Sequence, residues 1–133
     1  MNTQLIELTK KLIQHQTIHK NKPELFSILE VVIDQFKHIQ NIEIKRFQKN
    51  GFPSIVIQPK NAKVSIFFAG HLDVVPGSKD QFQAVEKSGK IFGRGAFDMK
   101  GSCSAGILAA RDTWKKNPHA PIGLVFTTDE EIG

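Results

Sequence analysis

Two apolar runs constrain this chain more than any other feature. "VSIFFAG" at 64–70 and "IGLVFTT" at 122–128 show no alternation of polar and apolar residues. Such runs are expected of strands covered on both faces of a sheet. Between them, residues 100–115 place Ile107, Leu108 and Trp114 at helical spacing. Strand, helix, strand predicts an α/β domain with a mixed, mostly parallel sheet flanked by helices. Upstream, Leu5, Leu8, Leu12 and Ile13 predict a helix over 3–18. Leu25, Leu29, Val32 and Phe36 predict a second over 23–39, with Pro23 suited to its first turn. "IEIKRF" (42–47) and "SIVIQ" (54–58) read as strands about the turn "NGFP", and "QFQAVE" (81–86) and "KIF" (90–92) as a hairpin about Ser88-Gly89.

Composition narrows the function classes. A chain of 133 residues with 40% hydrophobic content suits one domain with a real core. The net charge of +5 lies in residues 1–63, and no basic run exceeds two residues. A nucleic-acid surface would gather its basic residues on one face, so no nucleic-acid partner is expected. No apolar stretch approaches membrane-spanning length, and the N-terminus lacks a basic start followed by an apolar block, so neither a membrane span nor a leader is expected. Cys103 is the sole cysteine, which rules out an internal disulfide and makes a reducing, cytoplasmic setting the expectation.

Chemistry concentrates in three polar clusters. "GHLDVVP" (70–76) follows the first apolar run, "GRGAFDMKG" (93–101) opens the helix, and "TTDEEIG" (127–133) follows the second run. Open α/β sheets bind ligands beyond the carboxyl ends of their strands. Each cluster has an ordinary explanation: a loop histidine at His71, a helix cap at Asp98, a solvated pair at Glu130 and Glu131. Their joint occurrence argues otherwise, because carboxylates crowded at one sheet edge repel unless cations hold them. A set of His, Asp and Glu without thiolate suits a divalent ion, zinc first, cobalt or manganese next. Asp73 lies two residues after His71, in reach of the other ring nitrogen. Of the adjacent Glu130 and Glu131, one can bind metal while its neighbour faces substrate as a base.

In order, "HLDVVP", "GRGAFDMKG" and "DEE" resemble the co-catalytic zinc metallopeptidases that include acetylornithine deacetylase, succinyl-diaminopimelate desuccinylase, aminoacylase and the glutamate-type carboxypeptidases. The resemblance implies two divalent metal ions, with His71 on the first, Asp98 bridging and Glu131 on the second. It implies Glu130 as general base and acid, Asp73 as the residue orienting His71, and a cis peptide between Asp98 and Met99. The activity implied is hydrolysis of an N-acylated amino acid or small peptide. Many relatives carry a Trp and a Pro-Phe segment between the first two motifs; here "GSKDQFQAVEKSGKIF" keeps only a Phe, which leaves the substrate subclass open. The family supplies a further acidic ligand, a distant His, and an inserted lid and dimerisation domain, none of which lies in residues 1–133. The chain is therefore expected to be the N-terminal part of a catalytic domain, inactive alone and prone to self-association, from a homodimeric parent. A non-catalytic binding or interaction module that retains the fold is the alternative.

His15 and His19 sit four apart in "HQTIH", but no Glu follows His15 as a zincin helix requires. Cys103 reads as a packed thiol, and Arg94 as a structural residue pairing with a site carboxylate.

Overall fold

The computed structural model describes residues 3–133. The elements run α1 (Thr3–Gln14), α2 (Lys22–Asp34), β1 (Ile42–Lys49), β2 (Phe52–Pro59), β3 (Ile66–His71), β4 (Val85–Lys87), β5 (Lys90–Phe92), α3 (Gly101–Lys116) and β6 (Ile122–Thr127). The main sheet has the order β1-β2-β6-β3; β4 and β5 form a separate ribbon. Strand β6 pairs antiparallel with β2 (Ile55 opposite Phe126) and parallel with β3 (Phe68 opposite Leu124). The sheet is mixed, as expected, but only one of its three pairings is parallel, so "mostly parallel" does not describe these strands. The reason is local: the short "NGFP" turn can join β1 and β2 only as antiparallel neighbours, and β2 then meets β6 antiparallel as well.

The core lies on one face. Ile55, Ile57, Leu124 and Phe126 point to the same side and pack with Leu12 of α1, Leu29 and Val32 of α2, and Ile107 and Trp114 of α3. Both N-terminal helices end earlier than their periodicity suggests. Helix α1 stops at Gln14 because the carbonyls of His15 and Thr17 are taken by partners elsewhere in the chain. Helix α2 stops at Asp34, after which i→i−3 bonds from Gln35 and Phe36 tighten the chain. The ribbon is shorter than expected but turns where expected, through Ser88 and Gly89, both at positive φ.

One expectation fails outright. Strand β3 is an edge strand, with Ile66 and Phe67 68% and 45% exposed. An apolar run reports that burial is favourable; it does not say which residues supply the cover, and residues 3–133 supply it on one face only.

Candidate metal centre

Strands β3 and β6 are parallel and in register, with His71 opposite Thr127, so the loops leaving their carboxyl ends emerge side by side. The first carries His71 and Asp73, the second Glu130 and Glu131. Residues 96–100 complete the group as a kinked turn before α3, in which Asp98 and Met99 leave helical geometry. The Asp98–Met99 peptide is cis.

His71, Asp98 and Glu131 converge: one donor atom from each lies within 4.8 Å of the others. The Nε2 of His71 is 3.2 Å from Asp98 Oδ1 and 3.7 Å from Glu130 Oε2. Its other ring nitrogen, Nδ1, is 3.2 Å from the Asp73 carbonyl oxygen and 3.5 Å from Asp73 Oδ1. Asp73 is buried, and its Oδ2 accepts the Glu131 backbone N–H at 2.9 Å. One carboxylate thus joins the first cluster to the third. All five residues singled out from the sequence meet here.

Burial opposes charge on His71. The hydrogen bond to Asp98, the Asp73 carbonyl, and the charges of Asp73 and Glu130 outweigh it, and together hold the ring above its ordinary 6.5. The donor set fits a divalent ion on a further observation. Asp73 Oδ1 is buried without a hydrogen bond of its own, facing Nδ1. A proton kept on Nδ1 answers that oxygen and the neighbouring carbonyl, so that Nε2, which donates to Asp98 Oδ1 at 3.2 Å when protonated, can give up its proton and offer its lone pair to a cation. That tautomer is the one a cation held by His71, Asp98 and Glu131 requires.

Beneath the site lies a residue that sequence reasoning passed over. Lys100 is fully buried, donates from Nζ to the His15 carbonyl at 2.8 Å, and is pushed down to about 7 chiefly by burial, with Glu24, Cys103 and Asp73 opposing. The only signal was a lysine placed among small residues at a helix start. Cys103 is a packed thiol as expected: its Sγ donates to the His71 carbonyl at 3.3 Å, and burial pushes it up to about 12. Arg94 departs from expectation, since its Nη2 donates to Gln81 Oε1 at 2.9 Å and not to a site carboxylate. His15 pairs with Glu24 at 2.8 Å.

A mixed α/β sheet with a histidine–carboxylate cluster beyond its parallel strand ends places a candidate metal site where open α/β sheets bind their ligands. The chain belongs to peptidase family M20/M25/M40, whose family model matches residues 67–133. It is 34% identical to the succinyl-diaminopimelate desuccinylase of Helicobacter pylori (strain HPAG1), across 95% of this chain and 36% of that protein. The desuccinylase of Coxiella burnetii (strain Dugway 5J108-111) is likewise 34% identical, with 97% and 36% covered. The chain therefore spans about a third of the length of these relatives. Among solved structures, human carnosine dipeptidase 1 superposes with a TM-score of 0.79 at 24% identity, over 97% of this chain and 32% of that one. An M20 family metallo-carboxypeptidase from Sulfolobus solfataricus gives 0.81 at 21%, over 99% and 32%. At those identities the likeness is one of fold.

Proposed function

We propose that this chain forms part of a dinuclear zinc amidohydrolase acting on N-acylated amino acids or small peptides. The convergence of His71, Asp98 and Glu131 donor atoms within 4.8 Å, beside Glu130, carries the reading. His71, Asp98 and Glu131 would hold the metal, with Asp98 shared between two ions. Bound zinc, or cobalt or manganese in its place, would polarise the scissile carbonyl and acidify a water. The rest is the work of the chain. Asp73 keeps the His71 proton on Nδ1. The Glu130 carboxylate, 61% exposed and not held by the backbone contact that fixes its neighbour, takes the proton of the attacking water and returns it to the leaving nitrogen. Among substrates, an N-succinyl amino acid comes first, because the relatives at 34% identity are succinyl-diaminopimelate desuccinylases. A cytoplasmic setting and a homodimer belong to the same reading. No described helix is long and apolar enough to cross a membrane.

Residues 1–133 are read as the N-terminal part of the catalytic domain. Counting ligands gives the test. Two ions at about three protein ligands each need more groups than the one three-residue cluster found among the described residues. Calorimetric titration of the 133-residue chain with zinc is expected to show one weak site, abolished in His71→Ala, and succinate release from N-succinyl amino acids is expected at background. No zinc uptake at all would sink the metal reading. Two zinc ions per monomer with measurable hydrolysis would overturn the ligand count.

A further inference from the structure

The three residues after α1 touch two of the three clusters. The hydroxyl of Thr17, which is fully buried, donates to the Leu72 carbonyl at 2.6 Å. The Thr17 carbonyl accepts the Val74 N–H at 3.0 Å. Leu72 and Val74 are the two neighbours of Asp73, so one residue grips the backbone on both sides of the carboxylate. Two positions earlier, the His15 carbonyl accepts the Lys100 ammonium, two residues beyond Asp98. The segment is itself tightly folded: Thr17 N–H donates to His15 O and Ile18 N–H to Gln16 O, both at 2.9 Å, while Asn21 Nδ2 also caps Gln16 O at 3.2 Å.

We infer that Thr17 is a positioning residue for the metal centre, acting through Asp73. Everything Asp73 does depends on where its backbone sits. Its carbonyl and Oδ1 must both face His71 Nδ1, and its Oδ2 must meet the Glu131 N–H. A peptide unit free to rotate at 72–73 or 73–74 would satisfy one of these contacts at the expense of the others. Clamping both flanks from a single buried side chain and its own carbonyl removes that freedom. The clamp comes from outside the three motifs: "HQTIH", a stretch with no proposed ligand in it, ties the first cluster to the second. Two other buried hydroxyls bond elsewhere: Ser104 donates within its own helix to Lys100 O, and Thr128 donates to Pro53 O on β2.

This inference rests on the metal reading for its purpose but not for its test. Thr17→Val keeps the shape and loses the hydroxyl; Thr17→Ser keeps the hydroxyl. Long-range 1H–15N spectra of the metal-free chain resolve the His71 ring nitrogens, assigned against His71→Gln. Thr17→Val is expected to shift the His71 Nδ1 signal and the Glu131 amide, with amides of α2 and β1 unmoved, and Thr17→Ser to retain the wild-type signals. In zinc titrations, Thr17→Val is expected to weaken binding by about tenfold or more, and Thr17→Ser to stay within about twofold. If Thr17→Val does not fold, Thr17→Ala takes its place and is read the same way. Unmoved His71 and Glu131 signals in a folded variant lacking the hydroxyl would overturn the inference. So would equal shifts in Thr17→Ser, or loss of folding in both Val and Ala variants, which would make Thr17 a general anchor of the fold. A wild-type chain that takes up no zinc, yet shows the His71 shift in Thr17→Val alone, would leave the positioning role standing and remove the metal reading.

Discussion

The site has two halves that differ in how the protein holds them. His71 and Asp73 are buried, with side chains only 7% and 2% exposed, and each is fixed by several contacts. Asp98 and Glu130 are 71% and 61% exposed, and both face His71 Nε2. A buried polar group must have its partners built in, because leaving it unsatisfied costs about 1–3 kcal/mol. An exposed carboxylate has water as a partner and stays available for reaction. The buried half therefore sets direction, and the exposed half supplies charge and proton transfer. Glu131 joins them, with its backbone tied to buried Asp73 and its carboxylate in the cluster.

If that division is right, substitutions in the two halves should fail differently. The largest effect belongs to the exposed half. Where turnover is measurable, Glu130→Gln is expected to lower kcat by at least about 100-fold while leaving thermal stability and zinc stoichiometry unchanged. Loss of an ion in that variant, with Glu131→Gln keeping the full complement, would exchange the two roles. In the buried half, Asp73→Ala is expected to weaken zinc binding by about 10–100-fold and also to lower stability by about 1–3 kcal/mol, read by denaturant titration. A fully stable Asp73→Ala chain would erase the distinction.

The buried side also carries a pH effect. Lys100 has a folded value of about 7 against an ordinary 10.5. Between those values the unfolded chain holds a proton that the folded chain lacks, so this residue makes stability rise with pH, by up to about 1.4 kcal/mol per unit. His71 works the other way: its raised value stabilises the fold fully below 6.5, and that contribution is lost as pH rises through the folded value. The stability difference between wild type and Lys100→Met isolates the lysine, since His71 is common to both, and is expected to climb from pH 7 toward pH 10. A flat difference would mean that Lys100 is hydrated in solution. The smallest effect is the control. Glu30, paired with Arg46 on the surface, is an exposed carboxylate outside the site, and Glu30→Gln is expected to cost under about 1 kcal/mol and leave zinc binding untouched.

Both halves of the site were legible from sequence. Asp98, Glu130 and Glu131 stand in motifs whose residue types announce their chemistry, and the apolar runs beside them mark the strand ends. His71 and Asp73 were legible for the same reason. The supports were not. Thr17 sits in a polar loop where any hydroxyl would read as solvated, and Lys100 reads as a surface charge until the fold closes over it. Both act through contacts 55 and 85 residues away in sequence, and no local pattern encodes such a partner. The same gap explains β3: its residues state a preference for burial, while the sheet order that decides it is a property of the whole chain.

That sheet order also bears on how the chain is made. Among the described strands β6 comes last in sequence, yet it lies between β2 and β3 and pairs with both. A ribosome adding about 5–20 residues per second needs several seconds to travel from the end of β3 to the start of β6. Through that interval the β1–β2 hairpin and the apolar β3 strand both exist without the strand that joins them. Until β6 arrives, the apolar β3 run lacks its one pairing partner among the described strands, and the contact that joins them is one of long sequence separation.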